Sequence, residues 1–552
     1  MSLPRASFPA PTRRDPMPAP AVGIRVKVAL IVALAWAVGI LIPLNGLHAA
    51  DVLRVGVPAS APVNLDPYLS AGTDAIITEM VFNGLLRYQP GNCAVIEPDL
   101  AESLPKTTTE GGKQIWTFTL KKGVMFQPGP KHSAYEMTSD DVVYSLRRAA
   151  DPMKSAYADR YAGMSFKAQG RYTVQVIVDK PRSSTLMLSL FADRAGGAVI
   201  CRKAAETLSL QAFQRFPVGT GPFAFLASSP ELGVQLTAHK SYFRGAPLLD
   251  GVDVVYLPDF SACEQAFQRG ELQIISGRRS SRWADKAAQW EQTAVDVFGP
   301  ADSLYLAFNT VAGPLSDKRA RQAIAYALNR GEFVDIYGTP VAERLYAPVP
   351  TDTKGALSEK EIRALGLDYD TDLFRARQMM KGAGMDQGAA LKIYLTGRED
   401  NRYFYEVLKR RLALIGIDVI MMDDDPGASD PDARSGMPPL EFRWARTPSP
   451  DELFAALLGD GKSSPDSGGK IAEEGYHKLD VLLEAARRET SLKKQQEIWK
   501  HAQIKLLHDM AVYPICSIRN VAVRRTVVDY GYKLIGGGVI FPPITEKTRI
   551  VK

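Results

Sequence analysis

The sequence is poor in residues that carry chemistry. Its 552 residues hold only four cysteines, Cys93, Cys201, Cys263 and Cys516, and no two form a C-x-x-C pair. That spacing excludes a zinc ribbon and a thioredoxin-like redox motif. Two readings of the cysteines stay open in an oxidising compartment: one or two disulfides of unassigned pairing, or buried free thiols. Histidines are few and scattered. His501 and His508 lie seven apart on one expected helix, with no third ligand nearby. There is no G-x-S-x-G, no H-E-x-x-H and no Walker loop. The glycines of "VGTGPF", Val218 to Phe223, resemble half a dinucleotide fingerprint. Pro222 and a strand pattern follow them where a helix is needed, which argues against a phosphate cradle. No catalytic residue, cofactor or metal site is expected.

Charge of one sign is lacking too. The chain carries 67 basic and 61 acidic residues, a net charge of +6. Without residues 1–50 the counts are 62 and 60, a net charge of +2, so nothing global points to nucleic acid. Long apolar runs are absent save one. Arg25 and Lys27 precede the uncharged stretch Val28 to Ile42, and "HAA" follows at His48 to Ala50. A basic start, a short apolar run and a small-residue exit describe a secretory signal, with the mature chain beginning near Asp51. The rival reading is an uncleaved membrane anchor, because His48 suits the cleavage motif poorly. The run is shorter than the roughly 20 residues of a spanning helix. "TRR" at Thr12 to Arg14 lies too far from it for a twin-arginine signal. A secreted protein, soluble once mature, is expected.

What remains is an ordinary globular composition, 46% hydrophobic and 23% charged. The length calls for two or three lobes around separate cores. "IWTFTL" (115–120) and "YTVQVIV" (172–178) alternate as half-buried strands. "TSDDVVYSLRRA" opens with a capping signature, Thr138 with Asp141, and runs on as a helix. "DKRARQAIAYALNR" (317–330) is helical, with Ala320, Ala323, Ile324 and Ala327 on one face. "LKIYLT", "RYFYEVLKRRLALI" and "IDVIMM" form a β-α-β unit whose helix ends at Gly416. A helix is expected over Ile498–Leu507. The loop from Asp423 to Pro439 reads as an exposed connection, and Asp423, Asp424 and Asp425 in it as solvated and not as a metal site. The fold class is α/β, of several lobes.

Several of these segments together resemble the family 5 extracytoplasmic solute-binding proteins, the peptide-, dipeptide- and nickel-complex-binding components of ABC importers. The resemblance rests on "LRVGVPASAPVNLDPYLS", "MVFNGLLRY", "IEPDLAESL" and "WTFTLKKGVMFQPG…MTSDDVVYSLRRAADP", then "VGTGPF", "LYLAFNT…LSDKRARQAIAYALNR" and "LDVLLEAARRETSLKKQQEIWKHAQIKLL", in family order over 51–520. It implies a periplasmic-binding-protein-like fold (type II, cluster C), a Venus flytrap with an extra middle lobe. Lobe I would comprise 51–93, 216–305 and 518–552, lobe II 94–215, and lobe III 306–517. A peptide-like or other small polar solute would be enclosed between lobes and delivered to an ABC permease by a monomeric binding protein. A ligand sensor without transport and a secreted hydrolase are the alternatives.

In peptide binders of this family the strand corresponding to "LEFRWA" ends near a "W-x-x-D" pattern, whose aspartate pairs with the ligand's α-amine. Here "WARTPSPDELF" keeps Trp444 and places Arg446 where the aspartate would fall, one residue being missing before Pro450. An arginine repels an ammonium and attracts a carboxylate or phosphate. Arg443 lies beside it. "SGRRSSRW" is expected as a site-lining loop, with Arg278, Arg279 and Arg282 adding positive charge. Tyr305 is a further pocket candidate. The expected ligand leans anionic.

Overall fold

The computed structural model describes residues 51–551, except 63, 71, 230–232, 352, 386–387, 396–400, 424–438, 447–449, 459–475 and 537–540. The expected signal segment, Asp424 and Asp425 lie outside the described residues. No helix among the described residues is long and apolar enough to cross a membrane.

A nine-stranded mixed sheet organises the chain. Its order is Phe223–Ser229, Gly233–Ala238, Gly251–Leu257, Val52–Pro58, Ile274–Ser276, Val512–Arg525, Thr293–Phe308 and Leu440–Ala445, with Ala342–Arg344 pairing off Val512–Arg525. Val52–Pro58 runs parallel to both of its neighbours. The helix Phe260–Gln268 connects those two neighbours, and its Cys263, Ala266 and Phe267 are buried. A parallel pair needs such a crossover, so apolar strand and amphipathic helix fold as one unit. The strands Thr293–Phe308 and Val512–Arg525 are the longest and pair antiparallel along most of their length. Their register breaks between Phe298 and Asp302, where Gly299 adopts φ +129°.

A separate four-stranded antiparallel sheet takes the order Lys106–Glu110, Lys113–Thr119, Thr173–Val178, Met164–Ala168. Its first hairpin turns on Gly111 and Gly112, both at positive φ, as a two-residue hairpin with the right-handed twist of its strands requires. Trp116, Phe118, Val174 and Val176 point inward and are buried, while every residue of the edge strand Lys106–Glu110 is exposed. The helix Ser139–Ala149 has the capping box expected of Thr138 and Asp141. The β-α-β unit folds as a parallel pair, Ala389–Leu395 with Ile417–Asp423, joined by the helix Asn401–Ala413. The helix expected over Ile498–Leu507 extends over Leu492–Asp509. Cys201, Cys263 and Cys516 are buried free thiols, and Cys93 is half-buried.

The "VGTGPF" glycines serve close packing. A Cβ at Gly219 would stand 2.2 Å from the Val81 carbonyl oxygen, and one at Gly221 2.3 Å from that of Met80. The Gly221 N–H donates to the Val81 carbonyl at 2.8 Å. Glycine here lets one backbone approach another at the end of the helix Ala75–Val81.

Candidate ligand-binding site

A cavity of about 310 Å³ lies where three parts of the chain meet. The first part is the helix Ala75–Val81, the hairpin Leu86–Pro98 and the C-terminal segment 541–546. The second is the turn Ala158–Tyr161 with Asp193 and Arg194 beyond the helix Ser184–Ala192. The third is Arg446 and Glu452.

The helix Ala75–Val81 forms because Ile76, Ile77, Met80 and Val81 share a face and are buried, which leaves Glu79 to the cavity. Glu452 lies in the first turn of the helix Pro450–Leu458. Proline at that first position needs no N–H, and an acid there meets the positive end of the helix dipole.

Arg446 follows the strand Leu440–Ala445, whose Ala445 pairs with Ser303. Asp302 therefore stands across from Arg446. The guanidinium donates through Nε to Asp302 Oδ1 at 2.8 Å and through Nη2 to Oδ2 at 3.1 Å. Asp302 is 4% exposed and also accepts from Arg279 Nη1 at 2.5 Å. Arg279 Nη2 donates to Asn520 Oδ1 at 2.7 Å. Burial works to raise the Asp302 carboxyl, and the Arg279 and Arg446 charges outweigh it, so it lies below the usual carboxylate range. One carboxylate is shared by two guanidiniums. The geometry of Arg446 is fixed by a bidentate pair.

Of the seven residues expected at the site, Arg446 lines this cavity and the other six do not. Arg279 stands behind Asp302 and supports Arg446. Trp444 is half-buried against the core, with its ring 5.9 Å edge-to-face from Phe404. The other four turn their side chains elsewhere. Tyr305 is fully buried and its hydroxyl donates to the Pro348 carbonyl at 2.7 Å. Arg443 donates to Glu441 at 2.7 Å and to the Leu457 carbonyl, which ties it within its own neighbourhood. Arg278 turns outward onto Glu264 at 2.9 Å and Ser261 at 3.0 Å, and Arg282 is exposed on the short helix Ser281–Ala287.

Sequence reasoning missed the rest of the wall. Arg160 donates to Asp193 at 2.6 Å and lies 3.7 Å from Glu452. Arg87 donates to Glu97 at 2.7 Å, and Arg194 to the backbone carbonyl of Glu79. Burial pushes the Glu79 carboxyl up to about 7; the Arg194 charge opposes this and the Asp193 charge adds to it. The one sequence signal for Glu79 is an acid set among apolar residues in "AIITEMV". Glu546 in "FPPITEK" carries none. Among the described residues no three histidine, cysteine or acidic side chains converge as a metal site.

The family model for bacterial extracellular solute-binding proteins, family 5 Middle, matches residues 95–465. Heme-binding protein A of Haemophilus influenzae is 24% identical over 492 residues, which cover 82% of this chain and 84% of that protein. The dipeptide-binding protein of Escherichia coli K12 is 24% identical over 503 residues, 85% of this chain and 90% of its own. Among solved structures, the binding protein MoaA from A. tumefacien R10, in complex with mannopinic acid, superposes with a TM-score of 0.74. It is 27% identical and covers 91% of this chain and 100% of its own. With a family match over 95–465 and alignments that run nearly end to end, the chain belongs to the bacterial extracellular solute-binding proteins of family 5.

Proposed function

We propose that the protein is the extracytoplasmic solute-binding component of an ABC importer, capturing a small polar solute with an acidic group and delivering it to a membrane permease. The observation that carries the ligand class is the wall of the cavity. Arg446 is held there by a buried carboxylate that it shares with Arg279, so a positive group is fixed in position before the solute arrives. Preorganised charge of this kind binds an anionic group without first reorganising. The relatives are named for heme and dipeptide, and the MoaA complex holds mannopinic acid. A cavity of about 310 Å³ suits a solute of dipeptide or mannopinic acid size better than a macrocycle, being at the small end of the roughly 300–1,000 Å³ usual for such sites.

The proposed lobes are those expected from the sequence, 51–93 with 216–305 and 518–552, then 94–215, then 306–517. The divisions at 305/306 and 517/518 fall inside Thr293–Phe308 and Val512–Arg525, as strands that pass from one lobe to another require. The division at 93/94 cuts the strand Asn92–Pro98, and moving it past Pro98 keeps that hairpin whole. Residues 1–50 direct export, and the working form is a periplasmic monomer. Relatives in the family are binding proteins, and binding without turnover is the role assigned here.

Native mass spectrometry of freshly purified protein identifies a retained solute, and calorimetry then measures its affinity for wild type, Arg446→Ala and Arg446→Asp. Losing one partner of a desolvated ion pair costs about 2–5 kcal/mol. Arg446 is 28% exposed and already shared with Asp302, so a loss near the lower end, about 30-fold, is expected for Ala and a greater one for Asp. Equal affinities in all three proteins would remove Arg446 from the site.

A further inference from the structure

The charges on the cavity wall balance in number and differ in how they are engaged. Four arginines line it, Arg87, Arg160, Arg194 and Arg446, and four acids, Glu79, Asp193, Glu452 and Glu546. Every arginine has an acceptor. Arg87 and Arg446 are held by acids outside the wall, Glu97 and Asp302. Arg160 takes Asp193 and lies by Glu452, and Arg194 takes the Glu79 carbonyl. Two of the acids are treated differently. No described residue donates a hydrogen bond to the carboxylate of Glu79 or of Glu546, and neither forms an ion pair. Glu546 is only 6% exposed. Neither carboxylate is among the buried polar atoms sealed from open space, so their oxygens reach the cavity they line.

An acid buried without a donor is costly, and a protein keeps two in one cavity only where something relieves the cost. We propose that Glu79 and Glu546 form a subsite for a protonated nitrogen. On this reading, which rests on the solute-binding role above, the solute is dipolar. Its ammonium lies against the wall built by the helix Ala75–Val81 and residues 541–546, and its acidic group meets Arg446. Burial raises the Glu79 carboxyl to about 7, against the charge of Arg194 and with that of Asp193, and a cation beside it would favour the ionised form. Tyr88, Tyr242 and Phe541 line the same cavity and offer aromatic faces that suit an ammonium. Among the described residues no three histidine, cysteine or acidic side chains converge as a metal site, so an organic ammonium fits this wall better than a metal ion.

The test uses the mature protein, refolded free of retained solute, and a matched set of probes. These are the dipeptide Met-Leu, mannopinic acid, the N-acetyl form of each, and nitrogen-free dicarboxylates such as glutarate and adipate. Thermal shift finds the binders and calorimetry measures them in wild type, Glu79→Gln, Glu546→Gln and Arg446→Ala, with circular dichroism as the folding check. Expected is binding by a probe with both a basic nitrogen and an acid, a loss of at least tenfold in either Gln variant, and a similar loss on N-acetylation. The N-acetyl form should then bind wild type and the Gln variants alike. Dicarboxylates or N-acetyl forms that bind as tightly as the amines, or Gln variants with wild-type affinity for an amine, would overturn the subsite and leave the solute-binding role standing. No shift from any probe would overturn both.

Discussion

Asp451 is buried next to Glu452 and makes no ion pair among the described residues. Its Oδ1 accepts from the Trp499 indole N–H at 3.0 Å and its Oδ2 from Gln495 at 3.4 Å. Burial pushes this carboxyl up to about 6, and the Trp499 hydrogen bond and the Arg487 charge only partly oppose it. The folded protein thus holds the proton more tightly than the unfolded chain, whose ordinary value is 3.8. The stability this gives is complete below 3.8 and is lost as pH rises to about 6 and beyond. Asp451→Asn keeps an oxygen for the indole and removes the titration. Its stability relative to wild type should therefore improve by about 2 kcal/mol between pH 4 and pH 8, at 1.36 kcal/mol per unit. Urea unfolding at both pH values checks this, and a constant difference would show that Asp451 stays ionised throughout. At this scale the sequence was informative about one partner of each pair. Arg446 stood out against Trp444 and the prolines, but nothing local announced Asp302, 144 residues away. Side chains of paired segments also went different ways, Tyr305 inward from its strand and Arg446, just past its own, to the cavity, and only the packed sheet decides which.

Local periodicity and caps were sufficient to read most elements. The strand around Trp116, the capped helix after Thr138 and the β-α-β unit at 389–423 carry their own patterns, because their stability is mainly one buried face each. Patterns failed where glycine acts by absence. "VGTGPF" has no periodic signal for the helix it packs on, because the partner lies some 140 residues away in the chain. Gly221→Ala would place a methyl 2.3 Å from the Met80 carbonyl oxygen, and backbone cannot yield cheaply there. A loss of about 1–3 kcal/mol is expected from such overpacking, measured by chemical unfolding. Because Glu79 precedes Met80 on that helix, the same variant should also weaken solute binding. Unchanged stability would mean that the helix and the glycine turn separate without cost.

Across the whole molecule, strand order was beyond local reading. Val52 pairs with Gly251, and Arg525 with Thr293, and such pairings are selected by tertiary packing and not by either segment alone. Length alone called for two or three lobes, but which segments build each lobe was legible only through family resemblance, which spreads over many segments. Two strands make the plan mechanical. Thr293–Phe308 and Val512–Arg525 pair tightly at both ends and lose register together beside Gly299, with Asp302 and its two arginines next to the break. The ladder shifts register again between Leu304 and Tyr305, and an interrupted ladder bends at less cost than one that keeps every bond, so the lobes should close about this stretch when solute bridges the wall. Small-angle scattering with a solute confirmed bound and saturating should give a smaller radius of gyration than the solute-free protein. The Arg446→Ala variant, at a concentration of solute that saturates only wild type, should keep the open radius. A wild-type radius that does not change on confirmed binding would rule out closure and leave a preformed cavity that solute enters without lobe movement.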